Sequence, residues 1–164
     1  MSPHLRSALA CLLVFSTALV PGLAQNPGAG KVVPKLEPIA ETRLIMEGLA
    51  HPNFRGIERN LSKMALDDSG WTFARGQALL IAETANLLML RPPKAQGQPV
   101  WFEHAMDLRS QATQLAQQLA KKNVERGKAG LHNLAKSCNR CHQSFRVPIE
   151  IVPFQPAEPP LRKV

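Results

Sequence analysis

Trp101, Ala105, Leu108, Ala112, Leu115 and Leu119 follow one another at steps of four and three residues. That spacing returns side chains to one face of an α-helix turn after turn. Arg, Ser and Gln fill most of the opposite face. So long a seam of small and branched apolar residues needs other helices to pack against, as in a helical bundle. Composition agrees. Aromatic residues make up only 5% of the chain and Tyr is absent, whereas sheets draw on aromatic and β-branched side chains.

Other helices are legible around this seam. Leu36 to Ala50 predicts a first helix, with Pro38 in its first turn and Ile39, Thr42, Met46 and Leu49 on one face. His51-Pro52-Asn53 predicts its end, because the residue before a proline avoids helical angles. Asn53 then caps a second helix, whose stripe is Phe54, Ile57, Leu61 and Met64 and which stops at Asp67-Asp68-Ser69-Gly70. Phe73 to Leu90 is apolar nearly all round, which predicts a helix buried between others. Glu83, Asn86 and its length argue against a membrane span. Lys121, Lys122 and Asn123 suit the C-terminal end of the Trp101 helix. A last helix covers Val124 to Arg146, with Leu131, Leu134, Cys138, Cys141, His142 and Phe145 on one stripe. Gly127 and Gly130 weaken its first turns and place its expected start near Leu131. Pro148 stops it, and the proline-bearing stretch to Val164 is expected to be an extended tail.

The N-terminus has a different character. A basic start at Met1 to Arg6 precedes an apolar run from Ser7 to Val20, then small residues at Gly22-Leu23-Ala24. This is the pattern of a signal peptide over 1–24, cleaved before Gln25. The apolar run falls short of the roughly 20 residues a membrane span requires. Cys11 lies at the front of that run, unlike a lipoprotein cysteine. The expected location is the periplasm or another exported space, with no membrane span after cleavage. Residues 25–35 form a flexible leader, 36–147 the folded domain and 148–164 the proline-rich tail. The net charge of +8 loses only Arg6 with the signal. A basic surface favours acidic partners. The scatter of the basic residues, without interleaved aromatics, argues against nucleic acid.

Cleavage would leave two cysteines, in Cys138-Asn139-Arg140-Cys141-His142. This is C-x-x-C-H, the attachment sequence of c-type haem. On a helix, residues i, i+3 and i+4 share a face. Two thiols there can bond the two vinyl groups of one porphyrin edge, while the next imidazole reaches the iron from the same side. A thioredoxin-like pair would want a βαβ setting. A structural zinc site would need four ligands, with His51, His104 or His132 as the fourth. One covalent haem c, held by Cys138 and Cys141 and ligated by His142, is the favoured assignment.

The longer run Cys138 to Arg146 fits C-x-x-C-H-x-x-F-R. It resembles the class II cytochromes c, the cytochrome c-prime group, over about Leu36 to Arg146, with the specific motif confined to the last helix. The resemblance implies an all-α, antiparallel four-helix bundle carrying haem on its C-terminal helix. It makes His142 the proximal iron ligand and sets Arg146 beside the proximal face; a cation that ends a helix is the competing role for Arg146. Phe73 to Leu90 departs from the family as an additional helix or a broken second one. Family members often dimerise through their first two helices, so a homodimer is an expectation of the same kind.

The implied function is transfer of single electrons with redox partner proteins. No catalytic triad, paired carboxylates or phosphate loop points to an enzyme. Some family members fill the sixth iron position with a Met from the first helix, which raises the reduction potential. Others leave it vacant and bind NO or CO. A five-coordinate gas sensor or scavenger is therefore the alternative function. Met46, on the inward stripe of the first helix, is the leading distal ligand, against simple core filling. Met64 and Met89 are weaker candidates and Met106 lies off its seam. His51 and His104 are expected at the surface. His132 shares the haem helix and cannot easily reach the distal side. Trp71 and Trp101 could line the haem pocket or seal the bundle, and sealing is the favoured role. A peroxidase would need polar distal groups, and none can be assigned.

Overall fold

Asp67, Gly97 and Asn123 each mark the start of a helix in the computed structural model, which describes residues 35–155. The expected signal peptide, the leader up to residue 34 and the tail beyond 155 lie outside the described residues. The described chain is all-helical, with four helices and no strand.

The first helix, α1, joins three consecutive segments, Thr42–Ile45, Met46–Ala50 and His51–Leu61. Ile45 and His51, at the two junctions, both hold right-handed helical angles. The break expected at His51-Pro52 does not occur, and two expected helices are one. Pro52 has no N–H, and in a regular helix its ring would strike the carbonyl of Gly48, four residues back. The chain answers with a π turn. His51 N–H bonds the carbonyl of Met46, five residues back, and the widened turn ends just before the proline. Asn53 lies inside α1 and caps nothing; its side-chain amide donates to the Leu49 carbonyl at 2.7 Å. The expected start at Leu36 is also corrected. Leu36 and Ile39 are exposed and precede the helix.

Asp67 caps α2 (Asp68–Met89) by accepting the Gly70 N–H at 2.7 Å. Because α1 absorbs two expected helices, α2 is the second of four, neither additional nor broken. Helix α3 is Gln98–Ala120 and α4 is Val124–Ser144. Asn123 caps α4 by accepting the Arg126 N–H at 2.9 Å.

The core takes Phe54, Ile57 and Leu61 from α1, and Trp71, Ala74, Ala78, Ile81, Ala85 and Leu88 from α2. It takes Ala105, Leu108, Ala112, Leu115 and Leu119 of the expected seam from α3, with Trp101 packed against it, and Leu131, Leu134 and Ala135 from α4. Full burial of each Leu or Ile contributes about 1.5–3 kcal/mol. Helix α4 begins at Val124, ahead of both glycines. A Cβ at Gly127 would lie 2.9 Å from Leu61 Cδ2, and one at Gly130 would lie 2.9 Å from Leu115 Cδ1. The absent side chains let α4 come close to its neighbours, and that packing outweighs weak helix propensity.

Helix α4 ends in a Schellman motif. Val147 N–H bonds the His142 carbonyl at 2.8 Å, Arg146 N–H bonds the Gln143 carbonyl at 3.2 Å, and Arg146 takes a left-handed φ of 56°. The chain beyond is not a free tail. Residues 147–155 turn back onto α1 and α4, with Pro153 buried and Ile151 and Phe154 packed on the core. No described helix is long and apolar enough to cross a membrane.

Candidate functional site

A cavity of about 800 Å³ opens among the four helices and the returning segment. That volume lies toward the upper end of the range for pockets that enclose a cofactor-sized ligand. Helix α4 supplies Cys138, Cys141, His142 and Phe145, so the i, i+3, i+4 stripe does face one space. Helix α1 supplies Met46, Ala50, His51 and Phe54; α2 supplies Ile81 and Leu88. Helix α3 supplies Trp101, His104, Ala105 and Leu108. Ile149 and Ile151 close the wall after α4.

Both cysteines are free thiols, half-buried at the cavity wall. Burial, reinforced by the neighbouring Cys141, pushes the Cys138 thiol up to about 12. Burial also raises the Cys141 thiol. Both sulfurs are therefore protonated at neutral pH in this fold.

His142 Nδ1 lies 2.8 Å from the Ile149 carbonyl oxygen. A carbonyl only accepts, so Nδ1 is the donor, and in the neutral ring the lone pair is then on Nε2. An imidazole fixed in this way is the ordinary arrangement of a metal-ligating histidine. Among the described residues no three His, Cys, Asp or Glu side chains gather where they could hold a bare ion. The zinc alternative therefore has no assembled ligand set.

The turn that carries Cys138 is pinned from α3. Ser137, buried, donates to Asp107 Oδ2 at 2.6 Å, and Arg140 pairs with the same oxygen. Burial pushes the Asp107 carboxyl up, but the bonds from Ser137 and Arg140, with the guanidinium charge, outweigh it and hold it below its ordinary value. Phe145 sets its edge against Trp101, with ring centres 5.2 Å apart. Trp101 Nε1 donates to the Leu88 carbonyl at 2.8 Å.

Met46 is the one methionine among the cavity-lining residues. Met64 and Met106 are exposed, and Met89 packs on the core elsewhere. His51 is exposed, as expected, yet lines the cavity; His104, expected at the surface, is half-buried and lines it too. His51 follows Met46 across the π turn, which carries both round to the same space. His104 comes four residues before the buried seam position Leu108, and its Nε2 lies 2.8 Å from Ser144 Oγ. His132 is not at the cavity; its ring lies 5.6 Å from that of Phe154. Arg146 is exposed at the end of α4 and is not among the lining residues. Trp71 is buried in the core, as expected of a seal, whereas Trp101 lines the cavity. Asn139, Ser137, Asp107 and the Ile149 carbonyl carried no sequence signal. Two are ordinary polar residues on a helix, one lies in another helix, and the last is backbone.

Compared with protein-family models and with curated proteins, the chain matches none.

Proposed function

We propose that this chain is a c-type haem protein built on an all-α scaffold. More particularly, it is a class II cytochrome c-like carrier of single electrons: an antiparallel four-helix bundle, exported to the periplasm or a similar space. One observation supports this above the others. Cys138, Cys141 and His142 face a single large apolar cavity, and His142 is held with Nε2 free.

The residues present fit the group. Cys138 and Cys141 would hold haem by adding S–H across its two vinyl C=C bonds, sulfur going to one carbon and the thiol proton to the other, so no oxidant or reductant would be needed. Haem bound there supplies a one-electron Fe(III)/Fe(II) couple. His142 Nε2 supplies the proximal ligand. Phe54, Ile81, Leu88, Leu108 and Phe145 line the cavity with apolar surface, and an apolar surround is one of a protein's levers on potential. Met46, alone among methionines on the cavity wall, is the distal ligand candidate. Its thioether favours electron transfer over gas binding. Redox partner proteins with acidic surfaces suit the net charge of +7 that remains when Arg6 leaves with the signal.

The test is absorption spectroscopy of full-length protein made in a host that attaches haem c, oxidised and reduced, with and without CO. A haem spectrum that survives acid-acetone extraction and is unmoved by CO is the expected result. A colourless protein, or colour removed by acid-acetone, overturns the proposal. Covalent colour with a large CO shift replaces the carrier by the gas-binding alternative.

A further inference from the structure

The segment after α4 makes more bonds than the end of a helix requires. Asn139, between the two cysteines, grips Ile151 by both backbone groups: its Nδ2 donates to the Ile151 carbonyl at 2.9 Å, and its Oδ1 accepts the Ile151 N–H at 2.8 Å. Two residues earlier, the Ile149 carbonyl accepts from His142 Nδ1 at 2.8 Å. Further along, α1 takes hold. Arg55 donates to the Val152 carbonyl at 3.3 Å, and Glu58, paired with Arg55 at 2.8 Å, accepts the Phe154 N–H. Pro153 is buried between these anchors, and Phe154 holds a left-handed φ of 59°. A non-glycine residue keeps that angle only where its surroundings impose it.

We propose that residues 147–155 form a strap over the ligand histidine, and that Asn139 is its positioning residue, setting the Ile149 carbonyl on His142 Nδ1. The inference rests on the haem reading above and deepens it. An acceptor on Nδ1–H draws the proton outward and makes Nε2 the stronger donor. A stronger donor favours the ferric state, so the strap lowers the reduction potential. A two-point grip on Ile151, reinforced from α1, keeps water from taking the carbonyl's place at a half-buried imidazole.

The test uses full-length haem-loaded protein and two variants. Asn139→Ala removes the near anchor. Arg55→Ala combined with Glu58→Ala removes both far anchors with no change in net charge and no change in α4. Two quantities are measured: hydrogen exchange at the Ile151 amide, and the midpoint potential of the bound haem. In the parent the Ile151 amide is protected. Asn139→Ala speeds its exchange and raises the midpoint, leaving roughly threefold to tenfold more reduced haem at fixed ambient potential, a rise of up to about 59 mV. The double variant moves both quantities the same way by less, and it decides the matter if Asn139→Ala does not fold. An unprotected Ile151 amide in the parent overturns the strap. So does faster exchange with an unmoved midpoint. A parent protein without covalent haem overturns the functional proposal itself, and coloured protein with an unmoved midpoint sinks the strap alone.

Discussion

Ser137 and Asp107 join α4 to α3 through a 2.6 Å hydrogen bond one residue before Cys138. Ser137 is buried and has no water to turn to. Asp107→Ala therefore strands a buried hydroxyl and unpairs Arg140, for a loss of about 1–3 kcal/mol. The sign of its pH dependence follows from the lowered carboxyl. A depressed folded value means that the contribution is whole above the ordinary value of 3.8 and is lost as pH falls through the folded value. Denaturant melts of parent and Asp107→Ala should differ most at pH 7, and the gap should narrow as pH falls below 3.8 through the lowered folded value. A gap that stays constant through that fall would contradict the assignment.

Gly127 and Gly76 should respond to the same change with opposite signs. A Cβ at Gly127 meets Leu61 at 2.9 Å and Leu119 at 3.2 Å, and both leucines are fully buried. Overpacking costs about 1–3 kcal/mol and exceeds the gain in helix propensity. A Cβ at Gly76 has nothing within 4 Å. Thermal melts should show Gly127→Ala destabilised and Gly76→Ala stabilised by about 0.5–1 kcal/mol.

Met46→Ala tests the distal assignment. With the thioether gone, the reduced haem-loaded protein should acquire a CO-induced Soret shift that the parent lacks, and its midpoint potential should fall. Equal CO response in parent and variant would reduce Met46 to core filling.

The raised Cys138 thiol has a chemical consequence. Its shift from 9.0 to about 12 lowers the thiolate fraction at pH 8 by roughly a thousandfold. In folded haem-free chain, alkylation of Cys138 by iodoacetamide should be far slower than that of an unfolded control. Guanidinium should abolish the difference. Equal rates in native buffer and in guanidinium would show that the site is not the buried one described.

Periodicity made the α3 seam and the α4 stripe legible in advance, because a side chain that returns every 3.6 residues needs no tertiary knowledge to be assigned a face. Pro52 misled for the opposite reason. Local rules treat a proline as a boundary, but a π turn lets the helix continue when its far end is packed, and Phe54, Ile57 and Leu61 are packed. Gly127 and Gly130 misled likewise, since propensity cannot see the leucines they admit. His51 reached the cavity through the π turn, which sequence spacing does not reveal, whereas His104, four residues before Leu108 on the same helix, was legible from the period that marks the seam.

The order of residues by itself determined the helical class, the face on which Cys138, Cys141 and His142 stand together, and the chemistry those three could share. All of that is local, set by the pitch of one helix. Tertiary structure alone decided that the face opens on an 800 Å³ cavity, that Met46 lies on its wall, and that a backbone carbonyl seven residues past His142 holds its ring. Those depend on the approach of distant segments, which burial of apolar surface and the pairing of buried polar groups settle only once the whole chain is packed.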